Sequence, residues 1–427
     1  MRTTTGTALL TDRYELTMLQ AALASGAAHR RVVFEVFARR LPGGRRYGVV
    51  AGTGRFLDAL EAFRFEERDI EFLCSSGIVD EPTGEFLAGY RFSGDVYGYS
   101  EGEAFFPGSP IMVVEGTFAE AVLLETVALS ILNHDCAIAA AASRMAQAAG
   151  DRPLIEMGSR RTHEHAAVAA ARAAYLCGFA SPPTLMAGRL YGVPTAGTAA
   201  HAFTLLHDSE EDAFRAQLDS LGLGTTLLVD TYDVAKAVRT AVELAGPDLG
   251  AVRIDSGDLA VVAVEVRRLL DELGANRTRI VVTSDLDEFA IAALAAAPVD
   301  AYGVGTALST GSGHPTASLV YKLVAREDHA GRLQPVAKAS VGKPSIGGRK
   351  WAYRRTVDGT ATAEIVTREP VETDDRPLLA ELVRDGEIVG REPLTAARDR
   401  HRATLSELPL EACSLSPGDP AVPTIFK

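Results

Sequence analysis

Six stretches in the middle of the chain hold residue types that can do chemistry, and each closes or follows an apolar run. Glu156, Gly158, Arg160 and Arg161 close the run 154–157, and Thr198 and His201 follow a weaker run at 191–193. Asp230 and Asp233 come after 225–229. Arg253, Asp255, Ser256 and Asp258 close 251–254, Ser284, Asp285 and Asp287 follow 279–282, and Gly303, Gly305 and Thr306 close 301–304. Guanidinium groups fork onto phosphate or carboxylate oxygens. Glycines in Gly303-Val304-Gly305-Thr306 let backbone amides approach a phosphate. Arg253 and Asp255 alternate along a strand, so they share a face and can hold a charged ring and a ribose hydroxyl side by side. His201 sits in 192–207, where an apolar segment hands over to a helix whose first N–H groups can receive anions. Its imidazole changes charge near neutral pH. Taken singly, Ser256-Gly257-Asp258 and 284–287 also read as helix caps. Their grouping at one end of every run carries the functional reading.

The elements that must position these residues alternate. Helical patterns at 164–176, 210–221, 234–244, 259–273 and 287–296 separate the apolar runs. Such alternation predicts a parallel sheet with right-handed crossovers, closed or doubly wound, with ligands at the carboxyl ends of its strands. Upstream, a helix at 9–26 with Thr11 and Asp12 at its start, a strand at 31–40, a helix at 52–63 and short β-prone runs at 94–115 predict an α+β unit. A long helical stretch, 118–149, leads away from it. Downstream, the basic stretch 338–355 reads as a solvated hairpin, and the tail from 398 has no clear pattern. The expected organisation is an α+β domain over 1–117, an α/β barrel over 118–324 and an extension over 325–427 that packs on the first domain.

Bulk properties narrow the function. A chain of 427 residues with 47% hydrophobic content can build more than one core. Its net charge of −13 argues against a nucleic-acid or membrane-surface partner held by bulk electrostatics, but leaves local phosphate binding open. Cys74, Cys136, Cys177 and Cys413 form no C-x-x-C pair, so neither a metal site nor a disulfide framework is expected. The N-terminus has no basic segment leading into an apolar run, and the Ala-rich stretch 137–149 carries polar residues. A cytoplasmic location is the expectation. Nucleophile-elbow, H-E-x-x-H, Walker A and G-x-G-x-x-G patterns are absent from the sequence.

Seven segments in order, TDRYELTM (11–18), IEMGSRR (155–161), GVPTAGTAAHAF (192–203), LLVDTYD (227–233), RIDSGDL (253–259), TSDLDE (283–288) and YGVGTALSTG (302–311), resemble the nicotinate phosphoribosyltransferase family. The resemblance runs from the first helix to about residue 324. It implies an irregular α/β barrel with an α+β N-terminal domain, working as a homodimer with shared active sites. It also implies condensation of nicotinate with 5-phosphoribosyl 1-pyrophosphate, coupled to ATP hydrolysis, as an entry to NAD. By the same resemblance His201 is the histidine that ATP phosphorylates, and Asp230 accepts a hydrogen bond from its imidazole. Asp255 holds the ribose and favours its developing charge. Tyr14 from the neighbouring subunit stacks on the pyridine ring, and Thr198 and Arg253 contact nicotinate. Arg160, Ser284, Asp285, Gly305 and Thr306 serve the phosphoribosyl donor, with Mg2+ arriving on the pyrophosphate and no dedicated protein metal site. Where relatives carry a Ser/Thr-rich run, this chain has Ser181-Pro182-Pro183-Thr184, which leaves that loop's role open, while the lack of an Asp there favours nicotinate over nicotinamide.

Two rival readings are a quinolinate phosphoribosyltransferase-like enzyme and a non-catalytic nucleotide-binding barrel. The first calls for more cationic side chains and lacks the histidine of GTAAHAF. The second has no use for His201, Asp230, Arg253 and Asp255 together.

Overall fold

The computed structural model describes residues 6–338 and 346–427. Its chain divides into two compact units. One joins Met1–Ala140 to His314–Lys427, and the other is the continuous segment Ala141–Gly313. The expected boundaries at 117 and 324 fall elsewhere for two reasons. Helix Glu125–Ala149 runs without a break through residue 140, and strand Leu319–Glu327 pairs with Arg31–Ala38, which draws the residues before 324 into the first unit.

The first unit is built on a seven-stranded sheet in the order Leu333–Pro335, Leu319–Glu327, Arg31–Ala38, Met112–Thr117, Asp95–Tyr99, Leu379–Arg384, Glu387–Ile388. Every neighbouring pair is antiparallel. Leu379–Arg384, from the C-terminal part of the chain, pairs with Asp95–Tyr99 in this sheet. Arg31–Ala38 is buried along almost its whole length, and Phe34 stacks on Tyr321 with ring centroids 4.7 Å apart. The expected first helix forms as Arg13–Ser25 and stops at Gly26, whose φ of 75° suits a left-handed cap. Helix Glu125–Ala149 is long and apolar enough to span a membrane, yet 72% of its most apolar window is buried inside the protein, as in a core helix.

Residues 339–345 of the basic stretch 338–355 lie outside the described residues, and its end, 351–355, belongs to a hairpin that pairs Trp351–Val357 with Thr360–Thr367. That hairpin is not solvated throughout. Arg354 is fully buried, 2.7 Å from the equally buried Glu364, and donates to the Ala104 carbonyl at 2.9 Å. Burial opposes the Arg354 charge, but Glu364 and Glu103 overcome it and hold the guanidinium above its ordinary pKa.

In the second unit five parallel strands supply the frame: β1 (Leu154–Glu156), β2 (Thr226–Leu228), β3 (Ala251–Ile254), β4 (Arg279–Ser284) and β5 (Ala301–Val304). Their order is β1-β5-β4-β3-β2. The ladder is open, and no closed barrel is formed among the described residues; Ile155 bridges to Ser181 at the β1 edge. β3 is buried at every position, as expected of a parallel strand that reads as a continuous apolar run. Helices α1 (Glu164–Leu176), α2 (Leu185–Tyr191), α3 (His201–Leu206), α4 (Glu210–Leu221), α5 (Val234–Ala245), α6 (Leu259–Glu272), α7 (Glu288–Ala293) and α8 (Thr306–Ser309) lie between or after the strands. α5 buries Ala237, Val238, Ala241, Val242 and Ala245, the one-sided stripe of a helix lying on a core. The weak strand expected at 191–193 does not form. Tyr191 ends α2 and Gly192 caps it at φ 68°.

Removing one partner of a buried ion pair strands the other charge. Arg354→Met should lower unfolding free energy by about 3–5 kcal/mol, and adding Glu364→Met should restore much of the loss. Chemical denaturation of the two variants checks this.

Candidate active site

All five strands deliver polar residues at their carboxyl ends, and the acidic ones sort into two kinds. Asp233, Asp258 and Asp287 are helix N-caps, accepting from the N–H groups of Lys236 at 2.7 Å, Val261 at 3.2 Å and Ala290 at 2.8 Å. Asp230, Asp255 and Asp285 are left for other work.

Asp230 is the hub. Its side chain is 2% exposed. Oδ2 accepts from the Asp255 N–H at 2.8 Å and from the Ser256 hydroxyl at 2.6 Å. Oδ1 is buried with no hydrogen-bond partner. His201, the first residue of α3, brings Nε2 to 3.9 Å from both Asp230 Oδ1 and Asp255 Oδ2. That is too long for a hydrogen bond, so the bond expected between Asp230 and the imidazole is not made in this geometry. Thr231 meets the ring instead, its Oγ1 lying 3.2 Å from Nδ1. The other oxygen of Asp255 accepts from the Thr283 hydroxyl on β4.

Arg253, inward on β3, donates to the Thr198 hydroxyl, so the two residues expected to share a ligand touch each other. Its Nε is buried and unpartnered. Burial pulls the guanidinium below its ordinary pKa, while Asp255 and Asp230 pull it up and Arg160 acts against it. Arg160, Asp255, Ser284, Asp285, Gly305 and Thr306 together line a cavity of about 200 Å³, completed by Met157, Arg161, Thr283 and Gly303. Gly303 is required by contact. A Cβ there would lie 2.5 Å from Thr283 Cγ2 and 2.6 Å from Met157 Sδ. Ser284 holds φ at 153°, a conformation costing a residue with a Cβ on the order of 1–3 kcal/mol and concentrated at ligand sites.

Tyr14 belongs to the first unit, on helix Arg13–Ser25, and is 43% exposed. Burial of its hydroxyl end and the neighbouring Glu125 raise its pKa. The loop 181–184 flanks the β1 edge: the Ser181 carbonyl accepts from the Glu156 N–H at 3.0 Å, and the Thr184 hydroxyl pairs with that of Ser159. Sequence reasoning gave no role to Thr231 or Thr283, and read Ser256 only as one of a strand-end group or part of a helix cap. A lone hydroxyl beside a strand-end carboxylate was the available signal.

A family model described as the nicotinate phosphoribosyltransferase (NAPRTase) N-terminal domain matches residues 9–133. The nicotinate phosphoribosyltransferase pncB1 of Mycobacterium tuberculosis is 58% identical, the match covering 97% of this chain and 94% of that protein. A nicotinate phosphoribosyltransferase of Bacillus subtilis is 37% identical, over 81% of this chain and 72% of its own length. Among solved structures, human nicotinic acid phosphoribosyltransferase superposes with a TM-score of 0.84 at 27% identity, covering 98% of this chain and 97% of that one.

Arg160 and Arg161 offer the cavity guanidinium donors that suit an anion, beside the carboxylates of Asp255 and Asp285. Arg160→Ala should weaken binding of inorganic phosphate by about tenfold or more, the value of one charge-assisted hydrogen bond. Because Arg160 is exposed, thermal stability should hardly change. Titration calorimetry and a melting curve read the two effects.

Proposed function

The chain belongs to the nicotinate phosphoribosyltransferase family, and from that membership we infer that it joins nicotinate to 5-phosphoribosyl 1-pyrophosphate, yielding nicotinate mononucleotide and pyrophosphate for NAD synthesis. The pyridine nitrogen bonds to the anomeric carbon as the carbon–oxygen bond to pyrophosphate breaks. The observation that carries this reading is the convergence of His201, two carboxylates and an Arg-lined cavity at the carboxyl ends of one parallel sheet.

In this reading the cavity takes the donor. Gly305 and Thr306 cradle its 5-phosphate, Arg160 meets its anionic oxygens, and Ser284 and Asp285 complete the wall. Asp255 sits where positive charge grows on the ribose as pyrophosphate leaves. Arg253, already buried and oriented by Thr198, meets the nicotinate carboxylate through its free edge. A half-exposed imidazole between two carboxylates suits His201 as phosphoryl acceptor from ATP, with Thr231 and Asp230 fixing the ring. Mg2+ enters as part of the pyrophosphate-bearing substrate. A homodimer in which Tyr14 of one subunit caps the partner's ring is supported by the apolar side chains left exposed on the second unit, among them Leu185, Leu190, Leu205 and Leu206.

Mass-spectrometric product analysis with nicotinate or nicotinamide, with and without ATP, tests substrate and coupling together. Nicotinate mononucleotide should form, faster with ATP. In His201→Ala the ATP stimulation should vanish while basal turnover persists, and undiminished stimulation would overturn the phosphohistidine assignment. Arg253→Ala should raise the nicotinate KM by about 10- to 100-fold with a much smaller change for the donor. An equal rise for both would displace Arg253 from the ring.

A further inference from the structure

Glu156 ends β1 and is 1% exposed, and the chemistry above does not use it. Its Oε1 accepts the Gly158 N–H. Its Oε2 is buried and unpartnered. Gly158, which Oε1 holds, is packed without room for a side chain. A Cβ at Gly158 would lie 2.9 Å from Glu156 Oε1, 2.9 Å from the Gly305 carbonyl and 2.9 Å from Ser309 Cβ. Glu156 also sits opposite Val304 in the β1–β5 register, and the next N–H, of Met157, donates to the Val304 carbonyl at 2.7 Å. So the carboxyl group holds Gly158 of the 157–161 turn, which carries Arg160 and Arg161, where that turn packs closely on the 305–309 turn, which carries Gly305 and Thr306.

We propose that Glu156 is a positioning residue whose proton, when present, lets these two turns hold an anion between them, and whose ionisation weakens that hold. The proposal rests on the reading of the cavity as the donor's phosphate site. Burial raises the Glu156 pKa to about 7, with the Gly158 N–H pulling the other way. Among the described residues no opposite charge offsets it there. β5 brings Gly303 and Val304 against it, with the phenol of Tyr302 taken by Arg152. The 306–309 turn brings Thr306, Ala307, Leu308 and Ser309, and the 181–184 segment Ser, Pro, Pro and Thr. The charged groups of the cavity are Arg160, Arg161, Asp255 and Asp285, and α1, which packs on α8, carries Glu164, His165, Arg172 and Tyr175. An anion bound above a buried carboxylate favours the protonated form. Anion affinity therefore falls as pH rises through 7.

Glu156→Gln keeps an acceptor for the Gly158 N–H but cannot ionise. The donor KM of the variant and of the natural enzyme should converge at pH 6, and at pH 8.5 the variant should bind the donor about tenfold more tightly, one pKa unit of coupling. The donor's own titration is common to both proteins and cancels in the ratio. Parallel KM profiles would overturn the proposal, since a merely structural group weakens binding at every pH. Sulfate, which does not titrate in this range, gives a second measurement that needs no Glu156 variant. Its stabilisation of the protein against heat should be larger at pH 6 than at pH 8.5, and should stay so in His201→Ala. Loss of the pH effect in His201→Ala would assign it to the histidine and overturn the proposal. Sulfate binding with no pH effect would sink the role of Glu156 alone, whereas no anion binding at any pH would sink the phosphate reading with it.

Discussion

The buried carboxylate of Asp230 holds the site together. One oxygen fixes the backbone of Asp255 and the hydroxyl of Ser256, which sets the turn after β3 relative to the turn after β2. The other is left without a partner, facing His201. Isolated buried carboxylate oxygens are costly, so this arrangement stores a preference for a donor at that point, and an imidazolium or a polar ligand atom relieves it. The unpartnered Arg253 Nε and Glu156 Oε2 belong to the same pattern. At the strand ends of the second unit, buried polar atoms stand ready for ligands. In the hairpin of the first unit, Arg354 gives Nη2 to Glu364 and likewise keeps Nε without a hydrogen-bond partner.

Much of the second unit was legible because parallel strands are buried on both faces and announce themselves as continuous apolar runs. Each of the five expected from that signal formed within two residues of its place. The run at 191–193 failed because Gly192 adopts a left-handed conformation that serves a helix end, and three residues are too few to outweigh it. Unit boundaries were hidden for a different reason. A helix that passes from one unit to the other shows no break in composition, and the pairing of Leu319–Glu327 with Arg31–Ala38 is a contact between residues nearly 300 positions apart.

Within the site, residue type told only part of the story. Asp233, Asp258 and Asp287 look in sequence just like Asp230, Asp255 and Asp285, and only the local backbone decides which member of each pair caps a helix. The resemblance to a family named the useful member. Geometry then corrected the detail, giving the imidazole Nδ1 to Thr231 and leaving Asp230 at ion-pair distance.

The first unit is interrupted in the chain by the whole of the second. During synthesis, strand Arg31–Ala38 can pair early with Met112–Thr117, once those residues emerge, but its other edge must wait for Leu319–Glu327. At about 5–20 residues per second that wait lasts roughly 15–60 s. Throughout it a nearly all-buried strand, rich in Val and Phe, presents open backbone groups on the ribosome. The second unit, contiguous in the chain, can fold during the same interval. This protein's exposure to misassembly in the cell is therefore set by the order in which its strands are made, more than by the strength of any one contact.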